Sequence, residues 1–255
     1  MSDVARAYDA LATDYHALHH DWRASVERHG VALDRLLSGL LGAGSLRILD
    51  CSCGIGTQAI GLSLLGHSVV GTDLSPVSLE RARTEARSFG VELETHIADM
   101  RGLHELAGQA PFDAIISCDN SIAHLGNDEL APAFGEMRAL VRAGGAVLAS
   151  LRDYAPLVAA RAPLVSPNLA GVPGERAVTL QLWEWGQDGR SYDATLLFVT
   201  EHGGEWDVMA EPLHLNAHLI PAVVASMGAA GLEGVLVYEP EATGFHQPIV
   251  AGTRP

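Results

Sequence analysis

The spacing of apolar residues changes along the chain and divides it into stretches of different predicted structure. Between residues 46 and 151, short apolar runs alternate with longer stretches in which apolar residues recur at the helical period. Such alternation over about a hundred residues is typical of a parallel sheet with helices on both faces. The predicted strands are 46–50, 67–72, 91–97, 112–117 and 146–151, and the predicted helices are 57–65, 76–89 and 127–141.

The segments on either side of this region have other patterns. Residues 3–41 predict two N-terminal helices, because their apolar residues follow the helical period. Residues 155–174, rich in Pro, Gly and Ala, predict a loop with one helical turn. A helix at 216–230 and two further runs should complete the first sheet, with one antiparallel edge strand. Antiparallel strands are predicted at 177–185, 192–200 and 206–215, and the two further runs are 232–238 and 245–251.

A glycine-rich turn follows the first predicted strand, within residues 46–58. Asp50 stands at the strand exit, and Gly54 and Gly56 permit backbone conformations that a Cβ would forbid, so a ligand can approach the main chain closely. Thr57 is positioned to cap the following helix. In an α/β sheet this arrangement predicts a small-molecule crevice at the carboxyl end of the first strand.

The charge of the chain disfavours several classes of partner. The net charge is −15, with 16 arginines and no lysine. A surface of this sign repels phosphate backbones, so we expect no nucleic-acid substrate unless a local basic patch escapes the average. The absence of lysine excludes a Schiff base, a pyridoxal-phosphate anchor and a Walker-type phosphate loop, because each needs that amine.

Cysteine and histidine usage indicates reduced thiols and no bound metal. The cysteines are odd in number, and Cys51 and Cys53 flank a single serine, so we expect free thiols in a cytoplasmic protein.

We expect neither a signal peptide nor a membrane span, because the start of the chain lacks a basic stretch before an apolar run and no uncharged run is long enough. His16, His19 and His20 have metal-compatible helical spacing, but a solvated helix face is the simpler interpretation because no acidic or cysteine partner is evident.

Two cofactor classes are compatible with the glycine turn. Gly54, Gly56 and Ala59 also fit G-x-G-x-x-A, the fingerprint of nicotinamide-dependent dehydrogenases, and Asp73 suits a ribose diol in either class. However, residues 50–53 separate the strand from its first glycine, whereas a dehydrogenase strand runs almost directly into it. The Asp50 carboxylate would repel a diphosphate and attract an ammonium group. The turn therefore favours S-adenosylmethionine, which carries an ammonium and a sulfonium.

Several motifs together resemble class I S-adenosylmethionine-dependent methyltransferases. They are D-x-x-x-G-x-G at 50–56, Asp73 at the end of the second strand, Ala98-Asp99-Met100 after the third, and LVRAGGAVL at 140–148. Within this class, FDAIISCDNSIAHL at 112–125 and LRDYA at 151–155 resemble segments of glycine N-methyltransferases and related small-amine methyltransferases. The resemblance covers most of the chain and is weakest over 155–210. It implies a Rossmann-like methyltransferase fold with S-adenosylmethionine as the cofactor.

With this resemblance, we interpret residues 1–255 as a single α/β methyltransferase domain built on a doubly wound, mostly parallel sheet. Residues 1–44 would form an N-terminal helical lid, and 45–153 the cofactor-binding core. Residues 154–215 would form a β-rich insertion that acts as a lid over the substrate site, and 216–255 the final helix and strands of the core sheet.

The resemblance also implies which residues contact the cofactor. It assigns Asp50 to the ammonium, Gly54 to the methionine part, Asp73 to the ribose hydroxyls and Asp99 to the adenine. Cys118 matches a position that lines the cofactor, although a small core residue is an equal alternative. The implied cofactor contacts are Arg23, Asp50, Cys51, Gly54, Gly56, Asp73, Leu74, Asp99, Met100, Cys118 and His124.

The acceptor site is assigned in the same way. The arginine that matches Arg152 grips a substrate carboxylate through two parallel hydrogen bonds, and the alternative here is an ordinary salt bridge. Asn120 matches an asparagine near the amino acid substrate, or forms an Asx-turn. Tyr15 and His124 are the catalytic candidates. His214 has no counterpart that we can place, and it either lines the pocket or caps the helix at 216. The expected acceptor contacts are Asn120, Arg152, Tyr154 and His214, and no metal ligand is expected.

These assignments favour an N-methyltransferase that acts on a small amine or amino acid such as glycine or sarcosine. The alternative keeps the cofactor but takes a larger natural-product acceptor, methylated on N, O or C, with 155–215 remodelled as its pocket. More distant alternatives are a nicotinamide-dependent dehydrogenase and a non-catalytic cofactor-binding protein. We expect a small-molecule acceptor and no nucleic-acid or membrane partner, and the sequence leaves a homo-oligomer open.

Overall fold

The computed structural model describes residues 2–255, without the side chains of 164–166; Met1, the first residue of the predicted N-terminal lid, lies outside the described residues. Two helices precede the first strand, as the apolar spacing predicts. They are α1 (Asp3–Leu11) and α2 (Trp22–Leu41), with a short 3₁₀ helix at Tyr15–Leu18 between them. The Asp21 carboxylate begins α2 by accepting a hydrogen bond from the Ala24 N–H, 3.0 Å away.

The alternating region forms strands and helices in the predicted order. They are β1 (Arg47–Asp50), α3 (Thr57–Leu64), β2 (Ser68–Asp73), α4 (Pro76–Ser88), β3 (Glu94–Ile97), β4 (Phe112–Ser117), α5 (Leu130–Leu140) and β5 (Val141–Ser150). At the start of α4, the Ser75 hydroxyl accepts from the Ser78 N–H, and Pro76 occupies a position where its missing N–H costs nothing. Local capping chemistry therefore sets this helix boundary.

The insertion differs from its prediction by one strand. It contains α6 (Tyr154–Ala160), β6 (Leu164–Ala170), β7 (Ala177–Trp185), β8 (Ser191–His202) and β9 (Glu205–Asn216). The last three confirm the predicted antiparallel strands, and α6 contains the helical turn predicted within 155–174. The loop predicted for the rest of that segment was wrong at 164–170, because β6 pairs with β7 and adds a fourth strand. Backbone pairing to a neighbouring strand outweighs the low strand propensity of the Pro- and Gly-rich sequence.

The last elements are α7 (Ile220–Ala229), β10 (Glu233–Tyr238), the short α8 (Pro240–Thr243) and β11 (Ile249–Thr253). The central sheet has the order β10-β11-β5-β4-β1-β2-β3, and it is mostly parallel. The prediction that the antiparallel strand lies at the edge was wrong. β11 runs antiparallel between β5 and β10, because the short connection from β10 returns the chain directly beside it.

Two glycines bring α2 and α3 into close contact beside the glycine turn. An added Cβ on Gly61 would overlap the Val26 carbonyl oxygen and lie 2.9 Å from the Cα of Gly30. Trp22, at the start of α2, donates a 2.9 Å hydrogen bond to the Thr57 hydroxyl at the start of α3. This packing holds the helix that begins at the crevice. Among the helices of the described residues, none has the length and apolar character to cross a bilayer.

Candidate active site

The glycine turn shapes a crevice at the carboxyl ends of β1, β2 and β4. Gly54 and Gly56 have φ angles of +51° and +93°, a region in which side chains are strained. The Gly54 N–H donates to Oδ2 of Asp73 over 2.9 Å, which ties the turn to the end of β2. An added Cβ on Gly54 would meet no atom within 4 Å, so the space beside the turn is open to a ligand.

Asp50 is fully buried at the exit of β1. Its Oδ1 accepts from the Ser52 N–H at 3.3 Å, and its Oδ2 has no hydrogen-bond partner among the described residues. Burial raises the pKa of Asp50 to about 8. Asp50 itself does not line the crevice, although Cys51 and Ser52 next to it do. A buried carboxylate oxygen without a partner next to the glycine turn suits a cationic group, which fits the ammonium end of S-adenosylmethionine.

Most of the predicted cofactor residues lie around this crevice. The Asp99 carboxylate also pairs with Arg101, with 2.6 Å between the nearest charged atoms, so its two oxygens are not wholly free for a ligand. Gly56 begins α3 beneath the turn, where an added Cβ would lie 2.9 Å from Ile60. The predicted residues that line the crevice are Cys51, Gly54, Asp73, Leu74, Asp99, Met100 and His124, joined by Tyr15.

Three predicted site residues lie elsewhere. Arg23 stacks on Phe89, with its guanidinium carbon 3.9 Å from the ring centroid, on the outer surface of α2. Cys118 is buried in the core between the sheet and the N-terminal helices, which agrees with its alternative as a small core residue. His214 points away from the acceptor side and lies 2.7 Å from Asp193, because side chains alternate along β9. The structure therefore brings none of Arg23, Cys118 and His214 to the crevice or to the neighbouring cavity.

A second, larger cavity adjoins the crevice and has a volume of about 820 Å³. The inner face of the antiparallel sheet forms one wall, and the loops after β4 and β5 form another. Arg152 lines this cavity; its guanidinium donates to Gln181 at 3.2 Å and has no carboxylate partner among the described residues. Asn120 also lines it, and donates to the buried Tyr154 hydroxyl at 2.7 Å. Tyr154 thus positions Asn120 and does not itself face the cavity.

Four side chains line both cavities: Tyr8, Tyr15, Asp119 and His124. The Tyr8 hydroxyl lies 2.8 Å from Nε2 of His124, whose Nδ1 is buried without a partner in the part of the chain that the structure describes. Burial lowers the pKa of His124 to about 4, so its imidazole is neutral at pH 7. Burial raises the pKa of Tyr8 and of Tyr15, so both hydroxyls stay protonated. Tyr8, Tyr15 and His124 are therefore neutral hydrogen-bonding groups at the boundary where the two cavities meet, and Asp119 is the acidic side chain there.

The sequence did not identify Asp119 as a site residue. It follows β4 directly, and both Asp119 and Asn120 have positive φ angles, of 56° and 68°. The Asp119 N–H donates to the Ser150 hydroxyl at 2.8 Å, and the Asn120 N–H donates to the Ser150 carbonyl at 3.2 Å. These bonds to β5 stabilise a strained turn. The position of Asp119 beside Asn120, directly after a predicted strand, was the feature of the sequence that could have identified it as a site residue.

Comparison with known proteins agrees with this geometry. Residues 48–145 match the family model of a methyltransferase domain. A candidate methyltransferase of Geobacillus sp. (strain WCH70) is 34% identical over 106 residues, which cover 41% of this chain and 42% of that protein. The ubiquinone biosynthesis O-methyltransferase of Alkalilimnicola ehrlichii is 29% identical over 154 residues, 60% of each chain. The chain thus spans less than two thirds of the length of these curated relatives.

Two solved structures share the whole fold. DesVI of Streptomyces venezuelae has a TM-score of 0.73 and 20% identity, with all of both chains covered. CalS10 of Micromonospora echinaspora, an amino pentose methyltransferase solved with bound S-adenosylmethionine, has a TM-score of 0.71 and 18% identity, with 96% of this chain and 97% of that chain covered. The domain match excludes the dehydrogenase alternative. Residues 48–145 therefore carry a methyltransferase domain, and S-adenosylmethionine is its cofactor.

Proposed function

We propose that this protein transfers a methyl group from S-adenosylmethionine to a nitrogen of a sugar-sized natural-product acceptor. The observation that carries this proposal is the cavity of about 820 Å³ that meets the cofactor crevice. Drug-sized ligands occupy cavities of about 300–1,000 Å³, whereas glycine would leave most of this space unfilled. The amino pentose that CalS10 methylates, as its description states, is an acceptor of suitable size.

In this proposal, Asp50 faces the ammonium of the cofactor and Asp73 faces the ribose. The bound cofactor supplies an electrophilic methyl group on its sulfonium. Tyr15 and His124 lie where the two cavities meet, and there they orient the attacking nitrogen. His124 is neutral at pH 7, so its unpartnered Nδ1 is available to hydrogen bond with the acceptor.

The insertion at 154–215 acts as the wall and lid of the acceptor cavity. Gln181, Leu196 and Leu213 from its inner face line that cavity together with Arg152. Closing the cavity with a separate sheet allows the acceptor pocket to change shape without altering the cofactor crevice. The lid at 1–44 contributes Tyr8 and Tyr15 to the boundary between the cavities.

A glycine-like amino acid is the second candidate, because the unpaired Arg152 guanidinium is suited to a carboxylate. Mass-spectrometric product assays with amino sugars, glycine and sarcosine separate the two candidates. We expect N-methylated amino sugar. Methylated glycine or sarcosine alone would favour the second candidate, and transfer only to oxygen or carbon acceptors would contradict the nitrogen assignment.

The role of Arg152 can be measured separately. A hydrogen bond to a charged group contributes about 1.5–3 kcal/mol, so Arg152→Leu should raise the KM of an anionic acceptor about 10–100-fold and leave S-adenosylmethionine binding unchanged. Arg190→Leu is the matched control, because Arg190 is exposed on the insertion and lines neither cavity. Equal effects of the two substitutions would exclude an acceptor role for Arg152.

A further inference from the structure

Three side chains that are distant in the sequence meet at the end of the acceptor cavity next to the crevice. One ligand-type atom from each of His29, Asp119 and His246 lies within 4.8 Å of the other two. Nε2 of His246 lies 3.2 Å from Oδ1 of Asp119, an oxygen that is buried without a hydrogen-bond partner among the described residues. All three line the acceptor cavity, and Asp119 also lines the crevice.

The surroundings prepare these side chains as ligands. Nδ1 of His29 holds the lone pair of the neutral imidazole and accepts a hydrogen bond from the Gln58 amide, which a metal ion would replace. Gln58 occupies Oδ2 of Asp119, and Oδ1, which lies 3.2 Å from Nε2 of His246 without a hydrogen bond, is left for a cation. The amide nitrogen of Gln58 lies 2.7 Å from Oδ2 of Asp119 and 3.1 Å from Nδ1 of His29, and it orients both.

The rings also have room to adjust. His29 and His246 stack with 4.7 Å between centroids and an interplanar angle of 12°. In-plane lone pairs of two nearly parallel rings cannot point at one ion, so this stack must open when a metal binds. The side chain of His246 is 45% exposed, so it can rotate without disturbing the core. Metal bonds of about 2.0–2.2 Å in a tetrahedral site place neighbouring ligand atoms roughly 3.3–3.6 Å apart. The 3.2 Å between Nε2 of His246 and Oδ1 of Asp119 already matches this spacing, and only separations that approach the 4.8 Å limit must contract.

We propose that His29, Asp119 and His246 bind a divalent transition-metal ion between the acceptor cavity and the cofactor crevice. Two imidazoles and one carboxylate form a donor set that suits zinc, iron or cobalt, and they leave coordination positions open toward the cavity. The spacing of histidines along the chain did not reveal this site, because residues 29, 119 and 246 come from α2, the end of β4 and the segment before β11.

The open positions give the ion a role that rests on the proposed function. An acceptor hydroxyl next to the reacting nitrogen would coordinate the ion, which would fix the orientation of that nitrogen toward the methyl group. The methyl transfer itself needs no step at the ion. Metal binding and cofactor binding can therefore be measured independently of each other and of turnover.

The test uses the full chain, stripped with a chelator and titrated with Zn²⁺ by calorimetry and with Co²⁺ by visible absorption. We expect one ion per chain and a cobalt spectrum typical of mixed nitrogen and oxygen ligands. His246→Phe keeps the aromatic stack on His29 and removes a ligand, and Asp119→Asn removes the carboxylate. Loss of a side chain that only hydrogen-bonds to a metal ligand already weakens metal affinity ~10–100-fold. Each of these substitutions removes a ligand itself, so it should weaken the affinity for the metal at least as much.

His214→Ala is the matched control, because it removes an exposed histidine that also pairs with an aspartate. It should leave the affinity unchanged. Circular dichroism establishes whether each variant is folded. If Asp119→Asn does not fold, the result for His246→Phe, a substitution at an exposed position, decides the test. Absence of saturable binding by the unsubstituted chain, or binding that survives His246→Phe, overturns the proposal. Titration with S-adenosylmethionine in parallel distinguishes this result from a failure of the cofactor site.

Discussion

Replacement of Asp50 by asparagine should stabilise the ligand-free protein at neutral and alkaline pH. The carboxyl group of Asp50 is fully buried, and one of its oxygens has no hydrogen-bond partner among the described residues. Asparagine has nearly the same size and stays neutral, so it resembles the protonated carboxyl. At pH 7 the gain is the free energy required to protonate the carboxyl when the chain folds, and above pH 8 it is the cost of keeping a charged, desolvated carboxylate in the folded state.

The size of this cost follows from the two pKa values. Folding raises the pKa of Asp50 from 3.8 to about 8. The unfolded chain therefore releases the proton near pH 4 and the folded chain only near pH 8, so stability contributed by the protonated form is lost as the pH rises between these values. With 1.36 kcal/mol for each tenfold change in proton affinity, the loss is about 4 kcal/mol at pH 7 and about 6 kcal/mol above pH 8.

Urea denaturation of the wild type and Asp50→Asn between pH 4 and pH 9 measures this effect. The two free energies of unfolding should nearly coincide at pH 4 and separate as the pH rises. Asp113→Asn is a control of opposite sign: contacts with Arg142 and Arg47 outweigh burial and lower the pKa of Asp113, so its contribution is lost as the pH falls. A difference between wild type and Asp50→Asn that does not change with pH would refute the reasoning.

The same substitution should weaken cofactor binding. The proposed contact of Asp50 is the ammonium of S-adenosylmethionine. The carboxyl, whose pKa is about 8 without ligand, can release its proton beside that cation and form an ion pair, whereas an amide cannot. Calorimetric titration at pH 7 should therefore give a lower affinity for Asp50→Asn, although this variant is the more stable protein. Unchanged affinity would show that Asp50 does not face the ammonium.

The remaining predictions concern packing and a buried hydrogen bond. Gly61→Ala should lower the free energy of unfolding, measured by urea denaturation, by about 1–3 kcal/mol, because the new Cβ would overlap the Val26 carbonyl. Gly39→Ala is the control: its Cβ would meet no atom within 4 Å, so the same measurement should show no change or a gain in stability. Tyr192→Phe removes the 2.8 Å hydrogen bond to the Tyr154 hydroxyl and should destabilise by about 1 kcal/mol, with no change in S-adenosylmethionine affinity; a larger loss of affinity than of stability would contradict this structural role.

The cofactor crevice could be predicted because its determinants are local. The strand, Asp50 and the two glycines occupy one short segment, and the β-α alternation places Asp73 and Asp99 at the same edge of a parallel sheet. The position of His214 could also have been inferred. The strand containing it alternates, and Leu213 and Leu215 on either side face the acceptor cavity, so His214 must face outward.

Other features depended on the register and rotation of whole elements. Arg23 lies on the outer side of α2, and a small change in helix phase decides between that side and the crevice. The sequence of 155–174 gave no signal for β6, because its pairing depends on the presence of β7 alongside. Local propensity does not include such a partner.

The sequence by itself determined the doubly wound sheet, the glycine turn and the chemistry of the cofactor crevice, since periodicity and capping act over a few neighbouring residues. Only the tertiary structure decided which side chains form the acceptor cavity and the cluster of His29, Asp119 and His246. Those residues are separated by many elements of the chain, and packing of α2, the strand ends and the antiparallel sheet brings them together. The spacing of these residues along the chain cannot predict their contact, because that contact depends on how three separate elements pack against one another.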